Sequence, residues 1–260
     1  MKIALISFDP VWENKEVNLE KCDSIFQTLS SSQLDLCVFP EMTLTGFSFS
    51  NLSLAEKLAN SKSVAFFQER ARLQKLNVVF GMMTQGSTGD VYNSALVIDR
   101  QGRLIDVYNK IHLFSPGREN KFLKRGNKVV TLDIDEVGVG LSVCYDLRFP
   151  ELYTKISEKA GVAINIANWP SVRESHWETL LRARAIENQI FMVGVNRSGL
   201  DRESEYAGNS FIFDPWGNRI SAKALNVEIA CIEIDFKAVE EIRSQFPKFA
   251  DRRFEVNMNY

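Results

Sequence analysis

Short apolar runs rich in β-branched residues alternate along this chain with longer stretches of helical period, and that alternation restricts the fold more than any other feature. Residues 2–8, 34–39, 77–82, 92–99, 139–144, 162–167, 191–196, 210–214 and 228–235 read as strands. Helical spacing of apolar residues covers about 18–30, 63–74, 151–159, 175–188 and 237–244. Strands that are apolar at nearly every position are buried on both faces, so helices must cover the sheets in an α/β or α+β layered fold. The pattern Asp-x-x-Gly falls between strand-like runs at 99–102, 135–138 and 214–217. Asp at the first position and Gly at the fourth are type I turn preferences, so β-hairpins are expected there, and hairpins mixed with crossover helices predict mixed sheets. No linker or low-complexity run divides the 260 residues. The expectation is one domain over 1–260, with 246–260, charged and aromatic without period, as a C-terminal arm.

The charge balance excludes several classes of partner. A formal net charge of −2 leaves no basic footprint for nucleic acid or an anionic membrane. The apolar run at the start is short and broken by Asp9, too brief for a signal-peptide core, and no stretch approaches the length of a membrane span. Cys22, Cys37, Cys144 and Cys231 stand far apart with no C-x-x-C pair, which fits a reduced compartment, so a cytoplasmic protein is expected. Histidine is scarcer still: His112 and His176 are the only two. A three-histidine zinc site is impossible, H-E-x-x-H and clustered Cys/His spacings are absent, and neither G-x-S-x-G nor a glycine-rich phosphate loop occurs. No metal and no cofactor is expected, and a hydrolase built from this sequence would take a carboxylate as its base.

Three stretches carry candidate chemistry. In Val143-Cys144-Tyr145-Asp146-Leu147-Arg148-Phe149-Pro150-Glu151 a cysteine ends an apolar strand and a helix follows a short turn. Such a turn exposes a nucleophile at the carboxyl edge of a sheet and supplies backbone N–H donors for an oxyanion; the plainer reading is a buried structural cysteine. In Phe39-Pro40-Glu41-Met42 a carboxylate stands at a strand end among apolar neighbours. Partial burial would raise its pKa and suit it to accept a thiol proton and return it to a leaving amine; otherwise it is a solvated loop glutamate. In Tyr108-Asn109-Lys110-Ile111-His112-Leu113-Phe114 a lysine ends the second strand of the first hairpin. A fixed ammonium beside a thiol lowers the thiol pKa and can hold an oxyanion; a surface lysine is the alternative, and His112 is read as structural.

Taken together, in this order and at this spacing, the three stretches resemble the nitrilase (carbon–nitrogen hydrolase) superfamily, over almost the whole chain from Ile3 to about Phe254. The resemblance carries the catalytic roles onto Glu41, Lys110 and Cys144, and a second glutamate onto Glu119. Asn168-Trp169-Pro170, His176-Trp177 and 182–189 are similar to the omega-amidase branch. Asn209 replaces a histidine or serine common in the family, a departure that bears on packing and on how the second glutamate is held. The resemblance implies a four-layer α-β-β-α sandwich of two mixed β-sheets, commonly a homodimer paired through helices beside the nucleophile. It also implies a small-molecule amide substrate, hydrolysed through a thioester with no cofactor. The oxyanion would be held by Lys110 and the N–H of Tyr145. The omega-amidase branch acts on terminal amides of 2-oxo dicarboxylates, so a cation must meet the distal carboxylate; Arg148, Arg173 and Arg197 are the candidates, and Trp169 either lines the acyl pocket or caps the core. Arg182 and Arg184 are read as structural ion-pairing residues. Other readings are a deaminated glutathione amidase, an N-carbamoyl amine hydrolase, a nitrilase, a catalytically idle scaffold, or a redox-sensing thiol protein.

Overall fold

A computed structural model describes residues 1–30 and 32–251. The chain begins β1 (Lys2–Ile6), α1 (Lys15–Leu29), β2 (Leu36–Val38), α2 (Lys62–Gln74), β3 (Asn77–Gln85), β4 (Val91–Ile98) and β5 (Leu104–Asn109). It continues β6 (Thr131–Ile134), β7 (Val137–Val143), α3 (Pro150–Ile156), β8 (Val162–Ala167), α4 (Glu174–Asn188) and β9 (Phe191–Asn196). The last part holds β10 (Ser198–Leu200), β11 (Glu205–Ala207), β12 (Phe211–Phe213), β13 (Lys223–Ala224), β14 (Ile229–Glu233), α5 (Lys237–Gln245) and α6 (Lys248–Asp251).

Two mixed sheets form. One has the order β13-β14-β1-β2-β3-β4-β5 and the other β12-β9-β8-β7-β6. In the first, β1, β2 and β3 are parallel, β4 runs antiparallel to them and β5 regains their direction; in the second, β7, β8 and β9 are parallel with antiparallel edges. Period-two alternation divides the strands of the first sheet between two cores. Ile3, Leu5, Leu36, Val38, Val79 and Val97 belong to the same core as Val139, Leu141, Val143, Ile164 and Val193 of the second sheet. The alternate residues Ala4, Ile6, Cys37, Phe39, Val78 and Phe80 pack instead against Cys22, Ile25 and Phe26 of α1 and Val64, Phe67 and Ala71 of α2. Phe67 stacks on Phe80 at 4.0 Å between centroids, and a fully buried Phe of this kind contributes about 1.5–3 kcal/mol. The far face of the second sheet is covered by α3 and α4, where Ile156 lies against Gly140 and Leu181 against Gly194. The layers are therefore α-β-β-α, as the resemblance implies.

Local sequence explains the ends of these elements. The Asn14 side chain accepts from Val17 N, so α1 starts three residues ahead of its expected start at 18. The turn at 135–138 differs from the type I turn expected. Ile134 pairs directly with Val137, so the loop is two residues, Asp135 and Glu136, both at positive φ (47° and 68°). Only a primed turn matches the twist of strands joined by so short a loop, and Gly138 lies inside β7. The turn at 214–217 closes by Gly217 N donating to Asp214 O at 2.8 Å, but the returning chain makes a single bridge, Phe213 to Arg219, before crossing to the other sheet as β13. The short β10–β11 hairpin was not anticipated from the sequence. Of the arm expected at 246–260, the described part is α6 and a bond from Gln189 Nε2 to Phe246 O at 2.8 Å; residues 252–260 lie outside the described residues.

Candidate active site

Four strands end at one edge of the sandwich, and each hands over a polar side chain. Glu41 follows β2, Lys110 follows β5, Cys144 follows β7 and Asn168 follows β8. The Glu41 turn lies against the backbone of β3 at Gly81, where Thr43 N donates to Gly81 O at 2.9 Å. Lys110 is fixed through its main chain, donating N–H to Asn93 O at 2.8 Å and accepting from Gly126 N at 2.8 Å.

Cys144 adopts φ 46° at the head of a 3-10 turn (Cys144–Arg148), a left-handed conformation that costs a non-glycine residue about 1–2 kcal/mol. Asp146, fully buried, holds that turn. Its Oδ2 accepts from Val143 N at 2.9 Å and Tyr108 OH at 2.7 Å, and its Oδ1 accepts from His112 N at 2.9 Å and lies 2.8 Å from His112 Nδ1. The His112 ring stacks on Phe149 at 3.8 Å, so His112 supports the turn, in keeping with the structural reading. Arg184 serves it from α4, donating from Nε and Nη2 to Leu147 O at 3.1 and 2.9 Å.

The charged groups meet in a water-excluded cluster. Lys110, Glu41 and Glu119 are each 0–1% exposed. Lys110 Nζ lies 2.9 Å from Glu41 Oε1, and 3.2 and 3.0 Å from Glu119 Oε1 and Oε2. Glu119 Oε2 also accepts from Phe114 N at 2.6 Å, so both its oxygens touch the ammonium. Glu41 differs: among the described residues its Oε2 accepts from Asn168 alone, from N at 2.9 Å and Nδ2 at 3.2 Å. Asn168 is also the residue against the thiol, its carbonyl 3.8 Å from Cys144 Sγ. Glu41 Oε2, the oxygen that the Lys110 ammonium does not hold, is thus tied to the residue that meets the thiol.

Electrostatics correct two sequence expectations. Burial alone would raise the Glu41 pKa, but the Lys110 ammonium and hydrogen bonds from Asn93 and Asn168 outweigh it and hold the carboxyl below its ordinary value. Burial likewise works against the Lys110 charge, but Glu119 and Glu41 together raise its pKa. The Cys144 thiol is pushed well up, first by desolvation and then by the Glu41 charge, which Lys110 only partly offsets. The resting site therefore holds an ionised Glu41 and a neutral thiol, and the lowered thiol pKa expected from the neighbouring lysine is not found.

Above the cluster opens a pocket of about 320 Å³ with Cys144 and Asn168 in its wall. Tyr145, Arg148, Trp169 and Arg173 all line it. Trp169 both lines the pocket and packs the interior, 5.4 Å from Trp177 and donating Nε1–H to Arg173 O at 2.7 Å. Arg197 does not line it. Its side chain is 1% exposed and paired with Asp9 and Asp201, over the ring of Tyr206 at 4.4 Å, where it anchors the β10–β11 hairpin. Arg182 pairs with Glu178 and donates to Gly217 O. The Asn209 side chain donates to Glu174 (its main-chain oxygen accepts from Trp177 Nε1 at 2.9 Å), so its departure from the family pattern bears on packing at the start of α4 and not on Glu119. Sequence reasoning missed Asn93 and the role of Asp146, and took Asn168 only as a branch marker. Among the described residues no group of three or more His, Cys, Asp and Glu side chains is arranged to hold a metal ion.

Comparison with known proteins agrees with this geometry. The carbon–nitrogen hydrolase family model matches residues 2–244. The chain is 33% identical over 252 residues to a 2-oxoglutaramate amidase of Bacillus subtilis, covering 96% of this chain and 97% of that protein. It is 32% identical to omega-amidase YafV of Escherichia coli, covering 96% of each. Among solved structures, a carbon–nitrogen hydrolase superfamily protein of Xanthomonas campestris, with an arsenic adduct in its active site, superposes with a TM-score of 0.90 at 29% identity over 98% of both chains.

Proposed function

The chain belongs to the carbon–nitrogen hydrolase family, enzymes acting on carbon–nitrogen bonds other than peptide bonds, and from that premise we propose that it is an omega-amidase with Cys144 as nucleophile, Glu41 as general base and acid, and Lys110 in the oxyanion site. The observation that carries this reading is the buried Glu41–Lys110 pair at 2.9 Å, set beside a thiol that stays protonated until a base takes its proton. Two carboxylates and one ammonium leave the cluster one net negative charge. Passing the thiol proton to Glu41 preserves that charge, whereas releasing it to water would add a second negative charge in a low-dielectric site.

Glu41 Oε2 takes the proton as the sulfur attacks the amide carbon. The oxyanion meets the Lys110 ammonium and the N–H of Tyr145, whose place in the first turn of the 3-10 helix leaves it without an intrahelical acceptor. Glu41 then gives the proton to the departing nitrogen, releasing ammonia and leaving a thioester. A water loses its proton to Glu41, its oxygen replaces sulfur on the acyl carbon, and the proton returns to Cys144. Glu119, bound through both oxygens to Lys110, fixes the ammonium.

The names of the relatives support the terminal amide of a 2-oxo dicarboxylate as substrate. So do Arg148, stacked over Trp169 at 4.9 Å, and Arg173, over Phe114 at 5.8 Å, each guanidinium facing an aromatic surface of the pocket. The reading includes a single domain over 1–260 and a cytoplasmic homodimer. The four free cysteines fit a reduced compartment, and Ile186, Trp216 and Phe246 make an exposed apolar patch beside α4 that suits a subunit contact. Among the described residues no helix is long and apolar enough to cross a membrane. Ammonia release from 2-oxoglutaramate and 2-oxosuccinamate, set against glutamine and a small nitrile, tests the assignment. The 2-oxo amides should be preferred and Cys144→Ala should be inactive; preference for glutamine or the nitrile, or no ammonia from any of them, overturns it.

A further inference from the structure

Asn93 stands in β4, paired across the sheet with Met83, and is completely buried. Its one side-chain NH₂ reaches both acids of the site, 2.6 Å from Glu41 Oε1 and 2.8 Å from Glu119 Oε1. Its main-chain oxygen receives the N–H of Lys110 at 2.8 Å. One residue thus touches all three charged members of the cluster. The orientation of the amide is fixed, because turning it would aim a carbonyl oxygen at two carboxylates.

The arrangement is poor for stability taken alone. Asn93 Oδ1 is buried without a hydrogen-bond partner among the described residues, an omission that costs stability. A side chain that leaves an acceptor orphaned while both its donors serve carboxylates points to function at that position. Two carboxylates crowded against one ammonium tend to share a proton, as paired acids do, and a proton held there would disable the base.

We propose that Asn93 is a positioning residue for the hydrolysis: its amide holds the carboxylates of Glu41 and Glu119 apart on either side of Lys110, leaving Glu41 Oε2 turned towards the thiol. This rests on the reading of Glu41 and Cys144 given above. It does not depend on the identity of the substrate, because Asn93 is sealed from the pocket.

Full-length Asn93→Ala and Asn93→Ser test it by two measurements. The first is the pH dependence of Cys144 alkylation by iodoacetamide, followed by peptide mass. Asn93 donates to the ionised form of Glu41, so its loss makes Glu41 bind a proton more readily, and the acid limb should move to higher pH by roughly one unit in Asn93→Ala. The smaller donor in Asn93→Ser should restore part of the shift. The second is amide turnover, where kcat should fall roughly 10- to 100-fold with KM within about twofold. An acid limb unmoved in folded Asn93→Ala, or a KM that rises as far as kcat falls, overturns the proposal. Should Asn93→Ala fail to fold, an unmoved limb in Asn93→Ser does the same. Alkylation needs no amide turnover, so a wild type that releases no ammonia from any amide, together with a limb shift in Asn93→Ala, refutes the omega-amidase assignment and leaves the role of Asn93 standing.

Discussion

Gly81 offers the sharpest test of how the fold places the base. A methyl group built on it would lie 2.6 Å from Met42 N and 2.7 Å from Glu41 Cα, where ordinary contact begins at 3.4 Å. Both atoms are main chain and cannot swing aside, so in Gly81→Ala the Glu41 turn must retreat from β3 by about 0.8 Å, and a misplacement on the order of 1 Å costs about 10²-fold in rate. Overpacking of this kind also destabilises by about 1–3 kcal/mol. The expected result is a folded protein with a lower unfolding midpoint, kcat down roughly 100-fold, and KM little changed because Gly81 does not border the pocket. Gly89→Ala is the matched control. Its φ of +86° strains any side chain, but nothing lies within 4 Å of the added methyl, so it should lose stability and keep its kcat. Turnover and thermal unfolding on the two variants decide the matter. A Gly81→Ala enzyme with kcat within twofold of wild type would refute the claim that β3 sets the position of Glu41.

Lys110→Met should be the more telling of two further substitutions. Removing the ammonium leaves Glu41 and Glu119 buried without a counter-charge, a loss of about 3–5 kcal/mol that shrinks at lower pH as one carboxylate takes up a proton. Denaturation at pH 5 and 7.5 should show the gap to wild type narrowing in acid; a gap independent of pH would count against a water-excluded cluster. Glu56 gives the same sign away from the site. Burial would raise its pKa, but hydrogen bonds from Lys15, Ser63 and Ser61 outweigh it and draw the group from 4.5 to about 2. A depressed carboxyl contributes stability above its unfolded value and loses it as pH falls through the folded one. Glu56→Gln should therefore cost about 1–2 kcal/mol at pH 7 after allowing for solvent screening, with the gap closing between about 4.5 and about 2. Urea unfolding across that range checks it.

The sequence made strands legible where a run is apolar on both faces and bounded by turn residues: the strands expected at 162–167 and 191–196 agree with β8 and β9 residue for residue. It also made legible the reactive residues that stand directly after such runs, because a strand end is visible and a polar residue there has few other reasons to be. What it hid depends on side-chain geometry. Asn93 sits near the start of β4 in Tyr-Asn-Ser, where a polar residue reads equally as solvent-facing. Arg148, Arg173 and Arg197 are alike in sequence. Only the β10–β11 hairpin, with Asp9 and Asp201 gathered round Arg197, turns that one into an anchor. The pKa directions were hidden for the same reason. Burial alone argues for a raised Glu41 and proximity to lysine alone for a lowered Cys144; the Lys110 charge and the donors on Glu41 decide against the first, and desolvation with the Glu41 charge against the second.

Strand direction explains why residues so far apart in sequence can be recruited at all. β2 is parallel to β3, and β5 regains that direction because β4 lies antiparallel between them, so the carboxyl ends of β2 and β5 fall at one edge and deliver Glu41 and Lys110. In the facing sheet β7 and β8 are parallel neighbours and deliver Cys144 and Asn168 side by side. β4 runs the other way, so its beginning, not its end, reaches that edge, and a residue meant to brace the cluster from within the sheet must sit near the start of β4. Asn93 does. An acid or amine there would change the charge of the cluster, and an apolar residue would leave the Oε1 atoms of both glutamates to the ammonium alone. A neutral donor is the side chain that keeps one ammonium sufficient for two carboxylates. The clearest consequence is for Asn93→Asp, which preserves size and adds an acid: alkylation of Cys144 should need a higher pH than in Asn93→Ala, and a lower one would refute this account of the charge balance.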